Sequence, residues 1–209
     1  MVFATPLNAS GIGKFFPMNL LAHLYLSPPG PEAMAGNLIA DCIKGSALAA
    51  LPPLVQAGVR FHRRVDSATD AHPVFRRSRA RFGPAWGRFS GILVDVTYDH
   101  CLTVDWECYS EQPLASFLAQ RHALLAEIAG TLPAPGGPWL SKVAGDGRMG
   151  SYGTIGGIEY ALGRISASFR TMDPELARAC DLIADQSDGF REDFAEFLPD
   201  LKCIVAMDL

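Results

Sequence analysis

The sequence lacks several patterns that assign a chain to a common functional class. It has no uninterrupted run of about 18 apolar residues, so we expect no membrane-spanning helix. Its five cysteines form no C-x-x-C pair and are odd in number, which disfavours a zinc ribbon or a disulfide framework. The signatures of a P-loop, a dinucleotide-binding fold, a G-x-S-x-G nucleophile elbow and an H-E-x-x-H metalloprotease are also missing.

Positive charge is in short supply as well. The chain has 18 Lys and Arg residues against 22 Asp and Glu residues, and its net charge of −4 argues against a general nucleic-acid binder. The cysteines lie among apolar neighbours, a pattern typical of small buried side chains in a reducing compartment. We therefore expect a cytoplasmic protein.

What is present indicates one folded domain. Hydrophobic residues make up 49% of the 209 positions, enough for one sizeable core. Residues 1–17 precede a second methionine, Met18, and are expected to form a loosely ordered extension before a single domain at 18–209. No alternating strand pattern appears, and the predicted fold is an all-α helical bundle. Helices are predicted at 32–50, 54–71, 92–108, 114–129, 158–169 and 174–197, with a loop at 133–138.

Two predicted helices carry polar residues at a spacing of four. His62, Asp66 and Asp70 stand one helical turn apart, so their side chains share one face of a helix beside an apolar stripe. Asp95 and Asp99 repeat this spacing inside a segment that is apolar on almost every side. This second segment also permits a buried strand, but its length without glycine or proline favours a helix.

A bound divalent cation would account for two carboxylates in such an apolar segment. Two buried carboxylates at i and i+4 are costly to desolvate and repel each other, and a metal ion removes both problems. His23 and Asp41 are further polar residues in apolar runs, and His100 follows Asp99 directly. Imidazole and carboxylate ligands together suit Mn, Fe, Zn or Mg. Each residue alone also fits a structural role, as a core histidine, an ion pair with arginine or a helix cap, but the whole set favours a metal site.

Arginine is concentrated near this pattern. Residues 60–88 contain eight arginines against the two acids Asp66 and Asp70, whereas residues 173–209 contain ten acids against three bases. Such a basic segment is either a solvated surface or a cradle for phosphate and carboxylate groups, which the planar guanidinium binds well.

Five segments carry a family resemblance: MNLLAHLYL, GNLIADCIKG, HRRVDSATDAHPVF, SGILVDVTYDHCLTVDW and SYGTIGGIEYALGRIS. In order and spacing they resemble the acyl carrier protein phosphodiesterase family, from Met18 to about Leu201. The resemblance implies a bundle distantly related to the HD-type metal-dependent phosphohydrolases. It also implies Mn²⁺-dependent hydrolysis of 4′-phosphopantetheine from holo-acyl carrier protein, with Mg²⁺ or Fe²⁺ as other candidate cations.

The resemblance and the chemistry together suggest roles for individual residues. Asp95 or Asp70 is expected to be the general base, and His100 to ligate metal or to protonate the leaving serine oxygen. Arg63 and Arg64 are expected to neutralise the phosphate. The expected metal ligands are His23, His62, Asp66 and Asp99, with Asp41 as a further candidate. The expected contacts with the acidic carrier protein are Arg76, Arg77, Arg79 and Arg81.

The sequence departs from the family pattern at one segment, and it leaves two alternative functions open. Arg148, Met149 and Gly150 stand where the family usually has a bulky Trp-Leu pair, which affects the expected substrate fit near that loop. A pocket lined by aromatic side chains, without a basic face beside it, favours a nucleotide or another small phosphoester as substrate. A helical binding protein without catalysis predicts that the carboxylates point to solvent or pair with arginines.

Overall fold

The computed structural model describes residues 19–145, 147–168 and 176–206. Within these ranges the chain is helical, with short 3-10 turns and no β-strand, so the all-α prediction is confirmed. The expected extension at 1–17 lies outside the described residues. In chain order the α-helices are α1 (Leu20–Leu26), α2 (Pro31–Ile39), α3 (Pro53–Ala71), α4 (Pro73–Arg81), α5 (Ser90–Val104), α6 (Trp106–Tyr109), α7 (Leu114–Ala129), α8 (Gly136–Ala144), α9 (Arg148–Ser151), α10 (Ile155–Ser168), α11 (Cys180–Asp185) and α12 (Ser187–Ala206).

Helix α5 lies at the centre of a single helical domain. Buried side chains occur on nearly every face of this helix, and it packs against α1, α4, α10 and α12. This surrounding explains why the sequence of α5 has almost no polar face. The prediction of a helix rather than a strand over 92–108 is therefore confirmed, although the α-helix ends at Val104 and α6 begins only at Trp106.

Helices α2 and α3 form the closest helix pair. Gly36 of α2 and Gly58 of α3 lie at their crossing, where a Cβ on Gly58 would stand 2.0 Å from the carbonyl oxygen of Ala33. The missing side chains let the two backbones touch. Close contact at this crossing places the next residue of α2, Asn37, beside the residue one turn further along α3, His62.

Proline sets the boundaries of α3 and α4. Pro53 occupies the first turn of α3, where its missing N–H costs nothing. Pro73 restricts the preceding residue, His72, to an extended backbone with ψ of 132°, so α3 ends at Ala71. The imidazole Nδ1 of His72 then accepts a hydrogen bond from the backbone N–H of Val74 and begins α4.

Three predicted segments differ from the structure. The helix expected over 32–50 ends at Ile39, and 3-10 turns follow at Ala40–Cys42 and Gly45–Ala50, separated by extended backbone at Ile43. The expected loop over 133–138 already contains the start of α8. The segment 174–197 divides at Gln186 rather than at Gly189, and its first two residues lie outside the described ranges.

The burial of the cysteines agrees in part with expectation. All five cysteines are free. Cys101 and Cys180 are buried as predicted, whereas Cys108 and Cys203 are exposed, contrary to the expectation of buried thiols.

Among the described residues, no helix combines the length and apolar character that crossing a membrane requires.

Candidate metal centre

Two histidines and one aspartate from two helices, α1 and α3, meet at the edge of the core. His23 of α1 and His62 of α3 are both buried, and their Nε2 atoms lie 3.2 and 3.1 Å from the two carboxylate oxygens of Asp66. The potential ligand atoms of the three residues all lie within 4.8 Å of one another. The helical spacing of His62 and Asp66 produces half of this arrangement, and the packing of α1 on the bundle supplies His23.

The two imidazoles have a common support that the sequence analysis did not include. The amide oxygen of Asn37 lies 3.0 Å from Nδ1 of His23 and 3.3 Å from Nδ1 of His62. Asn37 is completely buried, and it is an amide side chain within an otherwise apolar run of α2. An amide within an apolar run was the signal in the sequence that could have identified Asn37, because a buried amide needs hydrogen-bonding partners.

The Nε2 atoms fit a cation better than they fit hydrogen bonding. Both are buried, and neither makes a hydrogen bond of acceptable geometry despite the nearby carboxylate. Burial lowers the pKa of His62, but the close carboxylates of Asp41 and Asp66 outweigh burial and raise this pKa to about 9. Burial raises the pKa of Asp66, yet the two imidazoles outweigh it and hold this pKa below its usual range. The site thus attracts positive charge, and a divalent cation fits its donor set.

An open cavity of about 340 Å³ begins at this cluster. His62 and Asp66 form part of its wall, and Asp41 approaches His62 with an oxygen 3.5 Å from Nε2. The cavity therefore combines carboxylates with two guanidinium groups on its wall. The other lining residues are Asn19, Thr69, Asp70, Phe75, Arg79, Arg88, Gly91, Ile92 and Asp95.

Asp95 and Asp70, the two residues predicted as alternatives for the general base, both line this cavity. Asp95 accepts a long hydrogen bond of 3.4 Å from the side-chain amide of Asn19. Burial raises the pKa of Asp95 well above its usual value, and the negative charges of neighbouring aspartates raise it further. Asp70 lies on the exposed side of α3, one turn beyond Asp66. The structure thus brings together Asp41, Asp66, Asp70 and Asp95 around one space.

Asp99 has a different position from the one expected of a ligand. It is fully buried, and its two oxygens accept hydrogen bonds from the backbone N–H groups of Leu21 and Ala22, at 3.0 and 2.8 Å. Burial raises the pKa of Asp99 to about 7, against the lowering effect of these two hydrogen bonds. The carboxylate satisfies the open N–H groups at the start of α1, and the structure therefore assigns it to holding the helix that carries His23.

His100 also lies apart from the cluster. Its Nδ1 is 2.6 Å from the backbone carbonyl oxygen of Tyr152, and the residue does not line the cavity. His100 follows Asp99 by one position, which is about 100° around α5, so the two side chains face different neighbours. The structure connects His100 to the segment before α10 rather than to a leaving oxygen.

The arginines expected to bind phosphate or a partner fall into two groups. Arg79 lies on the cavity wall, and Arg88, which the sequence analysis placed only in the basic segment, also lies there. Arg77 and Arg81 instead bind the buried carboxylate of Asp193 on α12, each through an Nε–oxygen distance of 2.7 Å. The expectation that these two meet a partner is replaced by an internal role, because one acid distant in sequence forms ion pairs with both of them.

The remaining arginines lie outside the cavity wall. Arg63 donates a hydrogen bond to the carbonyl oxygen of Ile43, and Arg76 donates one to the carbonyl oxygen of Ala71. Arg64 lies over the ring of Phe61, at 5.6 Å from its centroid. Neither Arg63 nor Arg64 lines the cavity, whereas Arg79 and Arg88 do.

One residue of the segment that departs from the family pattern, Met149 of α9, is almost completely buried in the core. Neither Met149 nor Gly150 lines the cavity.

Comparison with known proteins places the chain in a family. A family model described as "Acyl carrier protein phosphodiesterase" matches residues 18–201. A protein named acyl carrier protein phosphodiesterase from Salmonella dublin is 39% identical over 112 residues, 53% of this chain and 58% of the relative. A protein of the same name from Salmonella paratyphi A is 38% identical over 117 residues, 56% of this chain and 61% of the relative. The chain thus aligns with little more than half the length of these curated relatives.

No solved structure matches the chain, and the expected likeness to HD-type phosphohydrolases stays a prediction. The family model, in contrast, extends over the segments that supply His23, Asn37, His62, Asp66 and Asp95. From this match the chain belongs to the acyl carrier protein phosphodiesterase family.

Proposed function

We propose that this protein is a metal-dependent phosphodiesterase that removes 4′-phosphopantetheine from holo-acyl carrier protein and yields the apo-carrier. The observation that carries this proposal is the convergence of His23, His62 and Asp66 at the edge of an open cavity. Membership in the family, whose name includes the carrier protein, supports the choice of substrate.

The proposed cofactor is Mn²⁺, with Mg²⁺ or Fe²⁺ as alternatives. His23, His62 and Asp66 would hold the ion, and Asp41 and Asp95 are the nearest additional carboxylates with access to the same cavity. A bound divalent cation lowers the pKa of water and stabilises negative charge on phosphate oxygens. Mixed imidazole and carboxylate donors suit such catalytic ions, whereas structural zinc usually has cysteine ligands.

Asp95 is the stronger candidate for the general base. Its raised pKa means that a proton taken from water at the carboxylate oxygen is held more firmly than by an ordinary aspartate. The amide of Asn19 holds one of its oxygens and limits rotation of the side chain. Asp70 has greater exposure to solvent and suits the passing of that proton to bulk water.

Arg79 and Arg88 supply positive charge in the cavity that the carboxylates line. Arg79 is fixed by a hydrogen bond of 3.1 Å from its Nε to the Ser90 hydroxyl, which leaves its terminal nitrogens for an anion. A guanidinium bound in this way is already oriented before a phosphate arrives, so it loses little entropy on binding. Arg88 extends from the turn before α5 on the same wall.

The exposed arginines outside the cavity suit an acidic protein partner. Arg60, Arg63 and Arg76 are exposed near the cavity-lining helices α3 and α4. Complementary charge of this kind accelerates the encounter with an acidic carrier and orients it. Phe75 is the one aromatic residue lining the cavity in the described part of the chain, which gives little support to a nucleotide substrate.

The direct test is mass spectrometry of holo-carrier protein incubated with the enzyme and Mn²⁺. The expected result is a decrease in carrier mass equal to the mass of the phosphopantetheine group. Addition of EDTA should prevent this decrease. A parallel panel of nucleotides and generic phosphodiesters separates the substrate classes. An unchanged carrier mass together with turnover of a nucleotide contradicts the proposed substrate, and no turnover of any phosphoester contradicts the enzymatic function.

A further inference from the structure

The amide of Asn37 has only one orientation that satisfies its neighbours. Its nitrogen donates hydrogen bonds of 2.8 Å to the carbonyl oxygen of His23 and of 2.9 Å to the hydroxyl oxygen of Ser27. The reversed amide would set its oxygen against that carbonyl, which can only accept. The amide oxygen therefore faces the two imidazoles.

This orientation determines where both imidazoles carry a proton. An amide oxygen accepts hydrogen bonds and cannot donate, so the Nδ1 atoms of His23 and His62 must both be donors. In a neutral imidazole with its proton on Nδ1, Nε2 presents a lone pair. On binding a cation the rings would give up any proton on Nε2, and both Nε2 lone pairs would then face the space beside one carboxylate, that of Asp66.

The ring geometry agrees with a shared target for the two lone pairs. The imidazoles are stacked, with centroids 4.1 Å apart and an angle of 22° between their planes. Because the rings are nearly parallel and their Nδ1 atoms bind one oxygen, their Nε2 atoms emerge on the same side. A single residue thereby sets the tautomer, the separation and the direction of two ligands.

We propose that Asn37 is a positioning residue that holds His23 and His62 as a matched pair of Nε2 ligands for one divalent cation. This inference rests on the proposed metal-dependent function. Asn37 lies at the Nδ1 side of both rings, away from Nε2, so it would act through the imidazoles without contacting the ion or the substrate. Partners of this kind commonly change metal affinity by 10-fold to 100-fold.

The first test measures Mn²⁺ affinity by isothermal titration calorimetry in the wild type and in Asn37→Leu. Leucine approximates the size of asparagine but offers no acceptor to either imidazole. We expect the dissociation constant for Mn²⁺ to rise by about 10-fold to 100-fold. Thr97→Val is the matched control, because Thr97 is a buried polar residue whose hydroxyl binds the carbonyl oxygen of Leu93 and no imidazole. This control should retain the wild-type affinity.

The second test needs no variant. Long-range ¹H–¹⁵N spectra of the wild-type protein loaded with diamagnetic Zn²⁺ should show two imidazoles with a proton on Nδ1 and zinc on Nε2. Zinc on Nδ1 of either ring overturns the proposal, even if Asn37→Leu fails to fold. Wild-type affinity in Asn37→Leu also overturns it while leaving the proposed function intact. Failure of the wild type to bind Mn²⁺ or Zn²⁺ contradicts the proposed function itself.

Discussion

The imidazole rings of His23 and His62 lie stacked, with their centroids 4.1 Å apart, although they come from different helices. Each ring has one nitrogen at the Asn37 amide oxygen and the other beside the Asp66 carboxylate. A single divalent cation beside both Nε2 atoms and that carboxylate would have all three residues as ligands. This relationship underlies the predictions for metal binding.

Removal of Asp66 should abolish the response to metal. At a Mn²⁺ concentration 100 times the dissociation constant, binding stabilises a protein by about 2.7 kcal/mol. We expect this stabilisation in the wild type and its loss in Asp66→Ala, measured as the shift in thermal unfolding on addition of Mn²⁺. Asp185→Ala, which removes an exposed carboxylate of α11, is the control and should keep the full shift. Equal shifts in Asp66→Ala and the wild type would remove Asp66 from the site.

The crossing of α2 and α3 should tolerate no side chain at Gly58. The added Cβ of Gly58→Ala would meet the carbonyl oxygen of Ala33 at 2.0 Å, so the helices must separate. We expect a loss of about 3 kcal/mol in the free energy of unfolding, measured by urea denaturation, because backbone cannot yield as a side chain can. Weaker Mn²⁺ binding should accompany this loss, since Asn37 and His62 move apart.

Gly163→Ala provides the matched control for that experiment. Gly163 lies within α10, and a Cβ there meets nothing within 4 Å. Alanine has the higher helix propensity, so this variant should gain roughly 0.5–1 kcal/mol. Similar effects of the two substitutions would show that the α2–α3 contact does not constrain the site.

Asp193 should cause part of the loss of stability that occurs as pH falls into the acidic range. Burial raises its pKa, but hydrogen bonds from Arg81, Ser78 and Arg77 outweigh burial and lower this pKa below the usual 3.8. A group whose pKa is lowered on folding stabilises the protein above its unfolded pKa, and this contribution disappears as pH falls through the folded pKa. We expect Asp193→Asn to cost about 3 kcal/mol at pH 7 and to flatten the pH dependence of unfolding below about pH 4.

Glu196→Gln tests whether burial is the cause of that effect. Glu196 also contacts Arg77, at 2.6 Å, but its side chain is 55% exposed. Exposed ion pairs contribute less than about 1 kcal/mol, so this variant should change stability little. A large loss in Glu196→Gln with a small one in Asp193→Asn would reverse this interpretation.

Arg79 and Arg77 should differ sharply in catalysis although they lie two residues apart. Arg79 lines the cavity, whereas Arg77 is engaged by α12. Loss of a preoriented donor to a phosphate should lower kcat/KM by about 100-fold in Arg79→Gln. Arg77→Gln should retain wild-type kcat/KM on holo-carrier below its unfolding temperature, with reduced stability as its main effect. The reverse ranking of the two variants would place the substrate elsewhere.

The sequence predicted the parts of the site that depend on helical periodicity. A spacing of four residues is sufficient to align His62 with Asp66, whatever the rest of the fold does. Periodicity did not point to His23, which was singled out as an imidazole within a short apolar run and by the resemblance to the family. The all-α class followed from the same periodic patterns.

Tertiary contacts determined what periodicity left open. Asp95 and Asp99 share a face of α5, but one turn along the axis changes the neighbour from the cavity to the start of α1. The acid that neutralises Arg77 and Arg81 lies more than 100 residues later in the chain, and no local pattern reveals that pairing. Asn37 was overlooked because its importance comes from two rings brought to it by other helices.

The most direct test of the proposed metal centre is anomalous diffraction from crystals grown with Mn²⁺. We expect a manganese peak within coordination distance of Nε2 of His23, Nε2 of His62 and a carboxylate oxygen of Asp66. Manganese bound at other residues, with these three side chains free of it, would show that the centre lies elsewhere.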